Sequence, residues 1–325
     1  MEDLIKQLDS TTYRLYLPLF GKATSFKNAE LTYKDHLYID LPARFKELWD
    51  TPIQNEKALF EPLKTFIHYL ATFVKDGQNK VDINQKDEAF DLVTEMDQGI
   101  EYILRYWINK HFPKHKVVGE EFGQDTLTPS DYCWYIDPID GTSNYAHGKN
   151  EYCINIGCIF NGKPFLTFVA LPSENIILEA NTISPSQDLV FSDALCSEFY
   201  SARIKDQTLF EKINTQLKKN EFRTMALGYS LAKMYQGHCD VFYKANVKLW
   251  DIMAPAALLY FKQNDYWDIE ITTYDGNTFS PFSNQETYLN YINQRHDINQ
   301  RVGLFTVTKK SDSRSKHIIR ECIYD

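Results

Sequence analysis

The chain has 325 residues, of which 43% are hydrophobic and 24% charged, and its formal net charge is −9. These values describe an ordered globular protein of one large or two smaller domains. The negative charge argues against nucleic acid and anionic membranes as general partners, and an acidic protein that binds an anion needs local cations, for which metal ions are the usual source.

The N-terminus, Met1-Glu2-Asp3-Leu4, lacks the basic start and apolar run of a signal peptide. No segment approaches the ~18 apolar residues of a membrane span, so a cytoplasmic protein is expected. Residues 1–55 read as an N-terminal extension of unknown role. Within it Leu31–Leu41 alternates weakly, as a strand would, and Pro42 and Pro52 interrupt the next stretch of chain.

Apolar residues at Leu59, Phe60, Leu63, Phe66, Ile67, Leu70, Phe73 and Val74 predict a helix over 57–75, closed by Gly77. A second helix is expected from Thr94, as N-cap, to His111, with Pro113 beyond it. Tyr132–Ile136 is a short strand leading into Asp137. Tyr152–Phe160 and Pro164–Ala170 flank Asn161-Gly162, the strongest short hairpin signal. Ile176–Ala180 follows a second turn. Cys133, Cys153 and Cys158 fall in apolar, strand-like runs, and none of the six cysteines forms a Cys-x-x-Cys pair, which reads as reduced, buried thiols. Beyond residue 190, helical segments near 206–218, 228–238 and 252–263 interleave with strands at Val241–Tyr243 and Gly303–Val307, an α/β pattern. The division expected is 1–55, 56–190 as a metal- and phosphate-binding α+β domain, and 191–325 as an α/β domain.

Acidic residues cluster at Gly119-Glu120-Glu121, at Asp137 and Asp140, and at Trp250-Asp251, with Asp97 as a further candidate. Two carboxylates about 4 Å apart at an effective dielectric of about 20 repel by roughly 4 kcal/mol. Such a pair raises its pKa values or recruits cations, and Mg²⁺ accepts carboxylates, a backbone carbonyl such as that of Ile139, water and phosphate. Gly141-Thr142-Ser143-Asn144 can open a helix, whose first N–H groups bind phosphate. Taken singly, each acid also fits a simpler role: a turn, an N-cap or a solvated first turn.

Together, Asp91-Leu92-Val93-Thr94 with Asp97, Gly119-Glu120-Glu121, Asp137-Pro138-Ile139-Asp140-Gly141-Thr142 and Trp250-Asp251 strongly resemble the inositol monophosphatase family, in order and in spacing, over roughly residues 57–310. The resemblance implies a layered αβαβα fold and a Mg²⁺-dependent, lithium-sensitive phosphatase of a small phosphorylated metabolite, often a homodimer. It implies two or three Mg²⁺ ions, Mn²⁺ as a substitute, and inhibition by Ca²⁺ and Li⁺. By the same resemblance Glu120, Asp137, the Ile139 carbonyl, Asp140 and Asp251 hold metal, and Thr142, oriented by Asp97, helps Glu120 activate a water. Asp140, Gly141 and Thr142 would meet the phosphate, Gly228, Tyr229, Ser230 and Lys244 the substrate, and Lys86 would lie on a mobile loop.

Three features depart from the family pattern. About 50 residues precede the usual first helix. Lys244 stands where inositol-cleaving relatives carry a glutamate, which suits a substrate with a second anionic group. Asn264-Asp265-Tyr266-Trp267 replaces a Gly-Gly, and Tyr229 is bulky where relatives are small. Sugar bisphosphates such as fructose 1,6-bisphosphate, 3′-phosphorylated adenosine nucleotides and histidinol phosphate therefore join inositol phosphates as candidate substrates. A non-catalytic member that binds a phospholigand or a partner is the alternative of another class.

Overall fold

The computed structural model describes residues 5–8, 10, 12–16, 38–78, 86–125, 127, 131–182, 194–198, 207–262, 266–273, 276–282 and 302–324. The chain begins with a small antiparallel sheet of β1 (Ile5–Gln7), β2 (Thr12–Tyr16) and β3 (Tyr38–Pro42), followed by α1 (Ala43–Asp50). Of the weak alternation over 31–41, residues 38–42 are a strand and the rest lies outside the described residues. This extension is an added layer: Leu15, Leu41, Phe45 and Trp49 are buried in the same core as α2 (Phe60–Gln78) and α3 (Lys86–His111). Trp49 stacks on Tyr106 of α3 with centroids 5.8 Å apart, and Phe45 packs on Phe66 of α2.

The first of these long helices follows the predicted periodicity. Leu63, Phe66, Ile67, Leu70 and Val74 form its buried stripe. The second begins eight residues earlier than expected, so Thr94 is interior to the helix, and Lys86 opens it instead of lying in a loop before it.

The first six-stranded sheet comprises β4 (Lys116–Gly119), β5 (Gly123–Gln124), β6 (Tyr132–Asp140), β7 (Cys153–Phe160), β8 (Lys163–Leu171) and β9 (Ile176–Asn181), in the order β5-β4-β6-β7-β8-β9. Asn161 and Gly162 reverse the chain with φ of 51° and 70°, as a tight hairpin requires. Strand β6 does not stop at Asp137 as the sequence suggests. It runs on to Asp140 through an irregularity in its pairing with β7, and the short helix α4 (Thr142–Ala146) comes next.

The second sheet takes β10 (Ala194–Glu198), β11 (Asn220–Phe222), β12 (Val241–Val247), β13 (Trp267–Thr272), β14 (Thr278–Phe279) and β15 (Val302–Lys309), in the order β11-β10-β12-β15-β13-β14. Helices α6 (Leu227–Tyr235) and α7 (Leu249–Lys262) lie between the two sheets, while α5 (Gln207–Leu217) and α8 (Ser313–Tyr324) pair outside the second. The layers read αβαβα. Helices cover both faces of the first sheet, which explains why β6 and β7 are continuous apolar runs with no alternation. The boundary expected near residue 190 lies outside the described residues. Cys133, Cys153, Cys158, Cys239 and Cys322 are buried thiols outside any disulfide.

Candidate active site

A cavity of about 420 Å³ opens where β6 ends. Its wall includes Glu120, Asp137, Ile139, Asp140, Gly141, Thr142, Ser143 and Asp251, with Met225, Lys244, Ala245, Lys248 and Trp250 completing it. The structure thus brings all five expected metal-binding residues to one space.

Each reaches it by a separate device. Glu120 stands on the turn between β4 and β5, and that turn rests on a residue the sequence does not single out. Glu101 of α3, fully buried, accepts the backbone N–H of Glu121 at 2.7 Å and of Phe122 at 3.2 Å. Arg105, one helical turn on, pairs with Glu101 at 2.7 Å and donates to the Gly123 carbonyl. Gly119 is required here because a side chain at that position would run into the Glu101 carboxylate. A signal is nevertheless present: an Asp-x-x-x-Glu-x-x-x-Arg series on a helix face otherwise apolar.

Asp140 is held by the backbone N–H of Gly228 at the start of α6 and by the Cys153 thiol at 3.5 Å. Asp251 sits in the first turn of α7 and accepts the Lys248 N–H at 3.2 Å. Helix α7 reaches the sheet closely because Gly157 of β7 has no side chain, and Thr167 of β8 donates to the Ala254 carbonyl at 2.7 Å. Gly141, with φ of 89°, turns the chain into α4. The first amides of α4 receive no side-chain cap.

The electrostatics are those of crowded acids. Burial, then the charges of Asp251, Glu121 and Asp140, push Glu120 up to about 8. Glu120 itself opens onto the cavity, so the burial felt by its carboxyl comes from the protein packed around it. Burial and the neighbouring Glu120, Asp140, Asp251 and Asp97 carry Asp137 well above the usual carboxylate range. Glu120 lies close enough to raise the Asp137 pKa, and among the described residues Asp137 Oδ1 is buried with no partner. Among the described residues these side chains are not drawn into a finished coordination shell. Oxygen donors, crowded negative charge and an orphaned carboxylate oxygen nevertheless fit a hard divalent cation.

Asp97 is buried and raised by burial and by Glu121, Glu120 and Glu101. The Thr142 hydroxyl donates to the Ile139 carbonyl at 3.0 Å, and Asp97 Oδ1 is buried with no partner among the described residues.

Three expected substrate contacts lie elsewhere. Gly228 braces Asp140 from behind the wall. Tyr229 turns away into a neighbouring apolar cluster, where its hydroxyl donates to Glu174 and Lys233 sits 5.2 Å over its ring. Ser230 is fully buried against Thr224 at 2.5 Å. Successive helical residues point about 100° apart, so a single backbone contact by Gly228 says nothing of its neighbours. Lys244 does line the cavity, with only 8% exposure. The Lys86 side chain lies outside the described residues.

A five-layered αβαβα chain with clustered carboxylates and uncapped helix-start amides around one cavity has the architecture of a phosphatase. The chain belongs to the inositol monophosphatase family, whose model matches residues 59–260, and is an enzyme of that phosphatase class. It is 28% identical over 194 residues to the putative Nus factor SuhB of Neisseria meningitidis, covering 54% of this chain and 74% of that one. Over 214 residues it is 24% identical to the inositol-1-monophosphatase of Bacillus subtilis, covering 62% and 81%. Inositol monophosphatase II from Staphylococcus aureus shares the fold, with a TM-score of 0.55 at 18% identity over 79% of this chain and 94% of that one.

Proposed function

We propose that the protein hydrolyses a small phosphomonoester bearing a second anionic group, with Mg²⁺ held by Glu120, Asp137, the Ile139 carbonyl, Asp140 and Asp251. The observation that carries this reading is Asp137: buried among acids on the cavity wall, with one carboxylate oxygen that no described group satisfies. Bound metal supplies a water acidic enough to attack near neutral pH and neutralises the phosphate. Glu120 faces the cavity and takes the proton of the attacking water. Thr142, its own proton committed to the Ile139 carbonyl, offers its oxygen to orient that water, and Asp97, buried behind the cluster, steadies the arrangement. The free amides at the start of α4 donate to the phosphoryl oxygens. Asp140 serves as a ligand on the same side. At the opposite edge Lys244 and Lys248 offer positive charge to a second phosphate or carboxylate.

Sugar bisphosphates and 3′-phosphorylated adenosine nucleotides therefore rank ahead of inositol phosphate and histidinol phosphate. A hydrolysis screen over these four classes, with Mg²⁺, with Mn²⁺ and with added Li⁺ or Ca²⁺, tests the reading. Expected are turnover that requires Mg²⁺ or Mn²⁺, inhibition by Li⁺ and Ca²⁺, and a preference for the doubly anionic substrates. Inositol phosphate as clearly the best substrate would overturn the role of Lys244. A cytoplasmic homodimer completes the proposal, read by light scattering and by cell fractionation.

The Nus factor name carried by a relative favours a second reading, a member that works by binding a phospholigand or partner. Absence of turnover across the whole screen would select it. The presence of Glu120, Thr142 and Asp97 weighs against it, since binding alone needs no water-activating set.

A further inference from the structure

A second cavity, of about 320 Å³, lies between the latter half of α3 and β4, away from the acidic cluster. That volume sits at the small end of the range of about 300–1,000 Å³ typical of ligand pockets. Its apolar wall is formed by Tyr102, Tyr106, Ile108 and Val117.

Two charged side chains share this wall. Arg105 is only 9% exposed. Its Nε is taken by Glu101 and one Nη by the Gly123 carbonyl, and its remaining N–H groups have no partner among the described residues. Asp125 gives one oxygen to the Val117 N–H at 2.9 Å and is otherwise exposed. Arg105 and Asp125 form no ion pair with each other among the described residues.

The charge balance narrows the ligand. Glu101 already offsets Arg105. His115, also on the wall, accepts the Trp134 indole N–H at Nδ1 at 3.1 Å. Burial lowers its pKa, against the pull of Glu56, whose carboxylate lies 3.6 Å from Nε2. Among the described residues Asp125 makes no ion pair. A simple anion would satisfy Arg105 and be opposed by Asp125. A simple amine would meet Asp125 but make no use of the Arg105 guanidinium on the same wall. A molecule carrying both charges beside an apolar body satisfies all three surfaces.

We propose that this cavity binds a small zwitterion, an α-amino acid with an aromatic or branched apolar side chain, its carboxylate on Arg105 and its ammonium toward Asp125. The site is independent of the phosphatase reading and stands or falls on its own.

Calorimetric titration of the full chain with L-phenylalanine, L-leucine, 3-phenylpropionate and 2-phenylethylamine tests it. At least one amino acid is expected to bind saturably, with each singly charged analogue weaker by about tenfold or more, that is about 1.4 kcal/mol. Asn109→Trp, on the exposed rim of the cavity, is expected to abolish binding. Asp125→Asn is expected to weaken the amino acid about tenfold and to leave 3-phenylpropionate at least as tight. No saturable binding of either amino acid overturns the proposal. So do analogues that bind as tightly as L-phenylalanine, or binding that Asn109→Trp and Asp125→Asn both leave unchanged.

Discussion

The two sides of the active-site cavity are built in different ways. On the acidic side three of the four carboxylates are fixed from behind by backbone: Glu120 by the turn that Glu101 holds, Asp140 by the Gly228 amide, Asp251 by a helix seated on Gly157. On the basic side Lys244 projects from the middle of β12, and Lys248 lies 4.9 Å over the Trp250 ring. Replacing an acid by its isosteric amide keeps those backbone contacts and removes only the charge, while replacing Lys244 alters one side chain of a strand paired through its backbone. On the proposed reading, reaction chemistry belongs to the acidic side and substrate choice to the basic side.

Substitutions on the two sides should separate along that line. The largest effect is expected for Asp140→Asn, a loss of about a thousandfold or more in kcat, roughly 4 kcal/mol of barrier, with the melting temperature preserved. Wild-type turnover by this variant would break the proposed mechanism. Glu101→Ala strips the support from the Glu120 turn and leaves Arg105 buried without its partner. A stability loss of about 3–5 kcal/mol is expected in chemical denaturation, with kcat falling more than KM rises. Lys244→Glu should leave the fold and the metal requirement intact while raising KM for doubly anionic substrates about tenfold to a hundredfold, from the loss of one ion pair and the gain of a repulsion. An unchanged KM would show that the basic side does not read the substrate.

A smaller effect concerns pH. Folding raises Glu120 from 4.5 to about 8 and Glu121 from 4.5 to about 7. The folded chain therefore keeps protons that the unfolded chain has released across that interval. This contribution to stability is complete below about 4.5 and is lost as pH rises through 7 and 8. In chelator, the melting temperature should be lower at pH 8.5 than at pH 6, and Mg²⁺ should recover the difference, because the cation binds only the folded cluster. The smallest effect is expected for Tyr229→Phe, which removes one hydrogen bond to Glu174 outside the cavity. About 1 kcal/mol of stability should be lost, with kcat and KM unmoved.

The same division governs what is legible in the amino-acid order. Asp137 through Thr142 can be read because the family's motif is one short contiguous stretch, and the Asn161-Gly162 hairpin because its φ values demand those residues. Glu101 is only hinted at by its spacing from Asp97 and Arg105, since an acid on a helix usually faces water, and the contact with the turn of a distant strand is what establishes it. Tyr229 is misplaced by its sequence context because adjacency to Gly228 does not put two side chains on the same face of α6. The start of α3 is obscured as well: the apolar stripe that marks the helix begins after its first turns, so Thr94 resembles a cap.

The seat that Gly157 makes for α7 also orders events during synthesis. A nascent polypeptide that has left the ribosome as far as β9 already displays Glu120, Asp137 and Asp140, together with the strand face on which α7 will rest. Asp251 arrives only when α7 docks there, bringing the last of the mutually repelling charges. The exposed apolar face of β7 is then a docking site awaiting a later segment of the same chain, and substitutions at Gly157 should reveal themselves first as poor yield of soluble protein, before any defect in the purified enzyme.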